Sequence, residues 1–272
     1  MSLINNKYLL EEKIGEGNFG LIYKSKNIRT NEKVAIKIEP INNIFKLLKN
    51  EAIIYRYLSG IKGIVDIKWF GKDEINYYMV INLLEYSLKD LIKNKKQLSL
   101  LVTLKIGYNI LNIIKEIHEK GIIHRDIKPE NFMFLKNKIY LIDFGFCKFY
   151  LNNKKHIELK KTNKLLGSYN YASLNSHNCY ELSRRDDLES YCYILLYLNI
   201  GYLEWSNVEN EENIKILKTN VTNVTNEKKP KIILDLIKYS RNLKFEEKPN
   251  YFFILDILKN KINEINENNN VN

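Results

Sequence analysis

The sequence predicts an α+β fold in which antiparallel strands come first and helices dominate the rest of the chain. Residues 8–38 form short apolar runs separated by tight turns, which is typical of antiparallel strands. Residues 41–58, 99–120 and 188–198 instead repeat apolar side chains at helical spacing. With 272 residues, 45% of them hydrophobic, the chain is long enough to form two lobes or one large domain with a buried core.

The first predicted hairpin contains the glycine-rich sequence G-E-G-N-F-G, with Gly15, Gly17 and Gly20 between two apolar strands. The same pattern occurs in dinucleotide-binding folds, but there a helix follows the loop. Here L-I-Y-K-S and K-V-A-I-K-I follow it, and both read as strands. The order strand, glycine loop, strand therefore favours a hairpin whose backbone N–H groups cover phosphates.

Lys37, in the strand after this hairpin, is a candidate for binding the α- and β-phosphates of a nucleotide. Its long side chain needs an acid to hold it extended. Glu51 lies in the helical pattern of residues 41–58 and is expected to form that ion pair.

Two further strand-like runs, at residues 64–70 and 77–84, lead to a short helix predicted at residues 88–94. Asp90 in this helix has two interpretations. It is placed to reach a ribose, or it is an acid that stabilises the positive N-terminal end of its own helix. His118 lies near the end of the helix predicted at residues 99–120, and we expect it to be structural.

The stretch from His124 to Gly145 carries the groups that phosphoryl transfer needs. Asp126 is placed to orient an attacking hydroxyl and accept its proton, and Lys128 follows two residues later. Asn131 and Asp143 offer the oxygen ligands that Mg²⁺ prefers. A cluster of buried salt bridges in another α/β fold is the alternative, but it requires both motifs to occur together by chance.

H-R-D-I-K-P-E-N and D-F-G in this stretch are similar to the catalytic signature of protein kinases. A-S-L-N at residues 172–175, S-R-R-D-D-L-E-S-Y at 183–191 and R-N-L-K-F-E-E-K-P-N-Y at 241–251 resemble the casein kinase I family. The vaccinia-related kinases share S-R-R-x-D-L-E, although they tend to replace the Phe of D-F-G and the Pro of K-P-E-N, which this chain keeps. The resemblance covers residues 14–251.

This resemblance implies a two-lobed serine/threonine protein kinase that binds ATP and Mg²⁺ between its lobes. The kinase domain would span residues 1–265, with an N-lobe to about residue 82, a C-lobe from about residue 85, and a short polar Asn-rich tail at 266–272. The implied catalytic residues are Asp126, Lys128 and Asn131, with Asn131 and Asp143 as metal ligands. The implied ATP-binding positions are Ile14, Gly15, Gly17, Gly20, Ile22, Ala35, Lys37, Glu51, Ile81, Asn82, Leu84, Asp90, Met133 and Ile142.

Where the chain departs from the family, the expectations change. Asn170 stands where the family has an Arg that is thought to read a phosphate already on the substrate, so a preference for such primed sites is in doubt. Arg125 and Lys148 remain as an anion-binding pair, with Lys160, Lys161 and Lys164 close by in sequence, which favours acidic substrates. Without an A-P-E sequence, the buried Glu–Arg pair that ties this segment to the lobe in other kinases is expected to be missing.

The S-R-R-D-D-L-E-S-Y stretch is expected to brace the catalytic loop. Asp187 opens an apolar helix and is predicted to accept hydrogen bonds from the backbone around His124 and Arg125. Arg184 and Arg185 form either an anion site or structural salt bridges to Asp186 or Glu189, and we favour the structural interpretation.

Composition sets the remaining expectations. The net charge of +11 suits an acidic partner, although a solvated lysine-rich surface explains it equally well. The absence of a long apolar run argues against a membrane span or a signal peptide, and the three cysteines have no metal-binding spacing. We therefore expect a monomeric intracellular protein, cytoplasmic or nuclear and not secreted, that acts on protein substrates.

Three other functions remain open on the sequence alone. The chain could be a nucleotide-binding pseudokinase scaffold, but every catalytic position is filled. A basic nucleic-acid-binding module would need stacking motifs or zinc-ligand spacing, and neither is found. A kinase for small molecules could use the same fold, but the S-R-R-D-D-L-E-S stretch favours protein substrates.

Overall fold

The computed structural model describes residues 3–17, 20–44, 47–223 and 229–271. It divides into two compact units. The first contains the chain up to Tyr86 together with Met133–Phe146, and the second contains Ser87–Phe132 and the chain from Cys147 onward. The sequence analysis assigned the segment with Asp143 to the second lobe, whereas in the structure that segment packs within the first unit.

The first unit is built on a six-stranded antiparallel sheet. Its strands are β1 (Leu3–Ile4), β2 (Tyr8–Gly17), β3 (Gly20–Asn27), β4 (Lys33–Pro40), β5 (Trp69–Lys72) and β6 (Asn76–Asn82), in the order β1-β2-β3-β4-β6-β5. Because side chains alternate along a strand, β4 directs Val34, Ile36 and Ile38 into a buried apolar cluster. Ala35 and Lys37 consequently lie on its opposite face.

One helix and one hairpin, apart from the hairpin's first residue Phe132, also belong to the first unit. They are α1 (Leu47–Tyr57) and the pair formed by β8 (Phe132–Leu135) and β9 (Lys138–Leu141). The helix was predicted from residue 41, but the chain makes a turn there, with the backbone N–H of Asn43 donating to the carbonyl of Pro40 at 3.0 Å. Proline and asparagine favour such turns, and Ile44, expected on the helix, is 90% exposed.

The strand predicted at residues 64–70 is shorter than expected and begins further along the sequence. β5 begins only at Trp69, and Ile64 instead makes a single bridge with Leu141. An apolar run this short does not show whether its residues form a strand or a buried loop, because the residues are apolar in both cases.

The second unit is mainly helical. Its helices are α2 (Leu88–Lys95), α3 (Leu100–Glu119), α4 (Leu174–His177), α5 (Arg184–Ile200), α6 (Glu211–Asn220), α7 (Lys231–Asn242) and α8 (Tyr251–Val271). Its short strands are β7 (Ile122–Ile123), β10 (Lys148–Phe149), β11 (Leu151–Asn152) and β12 (Lys155–His156). α5 is the central helix, buried on nearly all sides, and it packs against α3 and α7.

The α+β prediction is confirmed, and the helices predicted at 99–120 and 188–198 correspond to α3 and α5. The stretch at 241–251 is mostly the connection between α7 and α8. Residues 266–271, predicted as a polar tail, continue α8. None of the helices described is both long enough and apolar enough to cross a membrane.

Candidate active site

In the first unit, Lys37 is held between two carboxylates. Its Nζ donates to Oε2 of Glu51 at 2.6 Å and to Oδ1 of Asp143 at 3.0 Å. The ion pair predicted between Lys37 and Glu51 is therefore present. Asp143 has a left-handed backbone with φ 65°, a conformation that Asp tolerates better than most residues because its side chain can hydrogen-bond locally.

Burial and charge set the ionisation of this cluster. Burial raises the pKa of Glu51 to about 7, and the nearby Lys37 opposes that rise. Burial disfavours the charged form of Lys37, but the two carboxylates outweigh it and raise the pKa of the ammonium above its ordinary value. The Asp143 side chain is 23% exposed against 2% for Glu51, so Asp143 is the acid that a ligand can reach.

The glycine-rich hairpin is formed by β2 and β3, with Gly15 paired to Ile22 and Gly17 paired to Gly20. Gly20 has φ 134°, and a Cβ there would lie 1.9 Å from the carbonyl oxygen of Ile38, so a side chain does not fit. Asn18 and Phe19, within the predicted phosphate loop, lie outside the described residues. Of the apolar residues predicted to flank the base, Ile14 is exposed and Ile22 is half-buried.

The other positions predicted for the nucleotide base also belong to the first unit. Ala35 lies directly opposite Ile81 in the register of β4 and β6. The remaining positions are Asn82 at the end of β6, the buried Leu84 just after it, and the half-buried Met133 and Ile142. Their contacts with a nucleotide stay predictions.

In the second unit, the carboxylate of Asp126 is bound on both oxygens. Lys128 Nζ donates to Oδ2 at 2.6 Å, and the amide nitrogen of Asn131 donates to the backbone carbonyl of Asp126 at 2.9 Å. The backbone N–H and the hydroxyl of Ser168 donate to Oδ1 at 3.0 and 2.9 Å. The sequence analysis brought the first three residues together but missed Ser168, which lies 42 positions from Asp126.

A glycine permits this approach of Ser168. Gly167 has φ 88°, and a Cβ there would lie 2.8 Å from the carbonyl oxygen of Arg125. The segment after it can therefore pass close to the catalytic loop only if residue 167 lacks a side chain.

Asp187 braces the catalytic loop as predicted. Its carboxylate accepts hydrogen bonds from the backbone N–H groups of His124 at 2.6 Å and Arg125 at 2.8 Å. His118 also contacts it, with Nε2 at 2.9 Å, while the other ring nitrogen of His118 bonds the hydroxyl of Tyr251. Burial alone would raise the pKa of Asp187, but the hydrogen bonds and charge of its neighbours hold it below its ordinary value.

Asp90 caps its own helix. Its carboxylate accepts from the backbone N–H and the hydroxyl of Ser87 at 2.9 and 2.7 Å, while its own N–H donates to the Ser87 hydroxyl. This reciprocal pair is a capping box, and its hydrogen bonds lower the pKa of Asp90. The structure thus gives Asp90 the helix-terminal role, and its contact with a ribose stays a prediction.

The A-S-L-N sequence is anchored to α5 through Asp186. The Ser173 hydroxyl and the Asn175 amide donate to Oδ1 of Asp186 at 2.7 and 2.9 Å. Burial raises the pKa of Asp186 to about 6, and these hydrogen bonds oppose that rise. Side-chain hydrogen bonds therefore anchor this segment to α5 without an A-P-E sequence.

Residues 172–175 contain no acid that could form the Glu–Arg pair of A-P-E, as expected, but a different buried Glu–Arg pair lies next to this segment. Glu189 of α5 accepts from Nε of Arg241 at 2.9 Å and from the hydroxyl of Tyr193 at 2.6 Å. The backbone N–H of Leu174 also approaches Glu189, at 3.4 Å. The pair was missed because its acid lies on α5, outside the segment, and its base is 52 residues away at the end of α7.

Arg241→Met is expected to lower the free energy of unfolding by about 3–5 kcal/mol, because it leaves the buried Glu189 carboxylate without its cation. Urea unfolding of the purified chain measures this change. Lys238→Met, an exposed position on the same helix, is the matched control and should change stability little. A loss for Arg241→Met no larger than the control's would contradict the assignment.

Arg184 and Arg185 are structural. Arg184 donates to the Tyr150 hydroxyl at 3.1 Å and to the backbone carbonyl of Glu246, and Arg185 donates to the carbonyl of Leu243 at 2.9 Å. Their guanidinium groups therefore bind the chain itself, as in the structural interpretation favoured from the sequence. Of the salt bridges expected with Asp186 or Glu189, Arg185 lies 3.9 Å from Asp186, whereas Glu189 pairs with Arg241.

The predicted anion pair, Arg125 and Lys148, already faces an acid. Glu181 lies 2.7 Å from Lys148 Nζ and 3.6 Å from a guanidinium nitrogen of Arg125, and its side chain is only 4% exposed. Lys148 and Glu181 also line a cavity of about 550 Å³, together with Asn152, Asn153, Lys155, His156, Ile157, Glu158 and Lys160. The carboxylate, missed in the sequence, offsets part of the positive charge there.

Lys218 is a buried lysine that the sequence analysis missed. It lies on α6, is 0% exposed, and its Nζ donates to the carbonyls of Tyr169 and Ala172 at 2.7 and 2.6 Å. Nζ also lies 3.0 Å from Nε2 of His177. Lys218 therefore secures the segment that follows Ser168, and burial lowers its pKa to about 7.

The stability contributed by position 218 should depend on pH. Because an unfolded lysine keeps its proton to about pH 10.5, whereas folded Lys218 loses it near pH 7, unfolding takes up a proton between these values. The wild type should therefore gain up to about 1.4 kcal/mol of stability per pH unit relative to Lys218→Met as the pH rises above 7. Urea unfolding from pH 6.5 to 9.5 measures this, with Lys215→Met on the same helix as control. A difference independent of pH would contradict the lowered pKa.

The sequence model of the protein kinase domain matches the chain from residue 8 to residue 261. The match includes both groups of side chains described above.

Proposed function

The chain belongs to the protein kinase family, and on that premise we propose that it phosphorylates serine and threonine residues of proteins in the manner of casein kinase I. The observation that carries the proposal is the bonding of Asp126. Its carboxylate is oriented by Ser168 on one oxygen and by Lys128 on the other. This arrangement is expected for a base that accepts the proton of a substrate hydroxyl next to a phosphate.

The reaction transfers a proton from the substrate hydroxyl to Asp126 and the phosphoryl group from ATP to the substrate oxygen. Asp126 orients the substrate hydroxyl and accepts its proton as the oxygen bonds to the γ-phosphorus. The bond from that phosphorus to the β–γ bridging oxygen breaks, and ADP leaves with the electron pair. Lys128, 2.6 Å from Asp126, offsets negative charge on the transferred group.

The residues for the rest of the nucleotide are also present. Lys37, held by Glu51 and Asp143, binds the α- and β-phosphates. Asp143 offers carboxylate oxygen and Asn131 offers amide oxygen, both of which fit Mg²⁺. When bound, Mg²⁺ would neutralise part of the negative charge of the phosphates.

Transfer of phosphate to casein tests the proposal. Purified chain with γ-³²P-labelled ATP and Mg²⁺ should label casein on serine and threonine, and acid hydrolysis of the product should yield no phosphotyrosine. Nucleotide binding without any labelling would favour a pseudokinase scaffold. Phosphotyrosine as the main product would remove the assignment to the serine/threonine class.

We further propose that acidic residues near the target hydroxyl improve a substrate. The cavity lined by Lys148, Lys155 and Lys160 and the net charge of +11 support this, while Glu181 and Glu158 limit it. A degenerate peptide library should show selection for Asp, Glu or phosphoserine near the target residue. Equal rates for acidic and neutral peptides would end this part of the proposal.

A further inference from the structure

Glu39, which the sequence analysis did not consider, caps the helix that carries Glu51. Its Oε1 accepts from the backbone N–H of Leu47 at 3.1 Å, and its Oε2 accepts from the N–H of Leu48 at 3.0 Å. The amide of Asn43 donates to Oε1 as well, at 3.1 Å. Leu47 and Leu48 are the first two residues of α1, so the carboxylate satisfies two N–H groups that have no partner within the helix.

The helix depends on this carboxylate for charge as well as for hydrogen bonds. The first turn of α1 contains no acid and includes Lys49, whose charge is unfavourable at the positive end of a helix. Glu39 is 0% exposed, and its two oxygens accept hydrogen bonds from the N–H groups of Leu47 and Leu48 and from the amide of Asn43. The N–H groups at the start of α1 therefore compensate part of its buried charge.

Glu39 and Lys37 lie two residues apart on β4, so their side chains leave the same face of the strand. Glu39 binds α1 at its first residues, and Lys37 binds it about one turn later, at Glu51. Strand β4 thus holds the helix at two successive points. A helix fixed at its start places Glu51 at a definite distance from the strand.

We propose that Glu39 is a positioning residue for the phosphate-binding lysine, acting through α1 and Glu51. Without its carboxylate the first turn of α1 frays, Glu51 is no longer fixed beside Lys37, and the ammonium is left to Asp143. The inference rests on the proposed function, because Lys37 is assigned there to the phosphates of ATP.

Glu39→Gln tests the inference, since it keeps the size of the side chain but removes the charge and replaces one acceptor oxygen with an NH₂ group, which leaves the N–H of Leu47 or of Leu48 without its acceptor. We expect kcat/KM for ATP to fall about 10- to 100-fold, the range in which mutations that misplace a reacting group act. Glu11→Gln, at an exposed position of β2 in the same sheet, is the matched control and should leave kcat/KM unchanged.

Two readouts separate positioning from a general loss of stability. Amide hydrogen exchange at Leu47 and Leu48 should accelerate at least about 10-fold in Glu39→Gln, while the amides of the core strand β6 stay protected. In a Glu51→Gln background, Glu39→Gln should lower kcat/KM for ATP by less than about a further 3-fold, because both changes disrupt the same chain of contacts. If Glu39→Gln does not fold, Glu39→Asp, which keeps the charge but is one methylene shorter, takes its place in both comparisons.

Additive losses in the double variant, or wild-type exchange at Leu47 and Leu48, would overturn the inference. The exchange measurement needs no enzymatic activity. Failure of the wild-type chain to label casein would therefore count against the proposed function, and unchanged exchange would count against Glu39 alone.

Discussion

Asp126→Asn is expected to lower kcat by about 10²–10⁴-fold, the usual contribution of a general base. The amide has the shape of the carboxylate and can still accept the hydrogen bonds from Ser168 on one side. It cannot take a proton from the substrate, and it carries no charge to pair with Lys128. The loss should therefore appear in the chemical step and leave the KM for ATP nearly unchanged.

Steady-state labelling of casein at saturating ATP measures this effect, and calorimetric titration with ADP checks that binding survives. Asp256→Asn, an exposed acid on α8, is the matched control and should retain full activity. Retention of more than a tenth of the wild-type kcat by Asp126→Asn would mean that another group accepts the proton.

Much of this site could be predicted because its residues lie in short motifs. Asp126, Lys128 and Asn131 occur within one loop, and their contacts span at most five positions in sequence. The Lys37–Glu51 pair spans 14 positions, from a strand to the helix that follows it. The spacing of the apolar residues predicted both elements. In each case local geometry leaves few other places for the side chains.

The contacts that were missed join residues far apart in sequence. Arg241 reaches Glu189 over 52 positions, and Lys218 reaches Tyr169 over 49. A lysine or arginine on an amphipathic helix reads as a solvated charge, and only the packing of one helix on another shows that it is buried. Glu39 was missed for a different reason, because a strand residue that caps a neighbouring helix leaves no sequence signature.

Asp143→Asn is expected to weaken nucleotide binding more than Asp126→Asn does. The change removes the half-buried carboxylate beside Lys37, 3.0 Å from its Nζ, and with it an oxygen ligand proposed for Mg²⁺. Loss of one preorganised charged group from such a site costs about 10²–10³-fold in kcat, and weaker binding of Mg-ATP adds to that in kcat/KM. Asp126→Asn should bind Mg-ADP as the wild type does, so the two variants separate chemistry from binding.

The metal dependence of ADP binding distinguishes the two roles of Asp143. If the carboxylate acts through Mg²⁺, Asp143→Asn should weaken ADP binding in Mg²⁺ but not in excess EDTA, where the wild type has also lost the ion. If it acts only by holding Lys37, the loss should persist in EDTA, because the Lys37–Asp143 contact needs no metal. Equal affinities for wild type and variant in Mg²⁺ would contradict both roles and would leave Glu51 as the acid that positions Lys37.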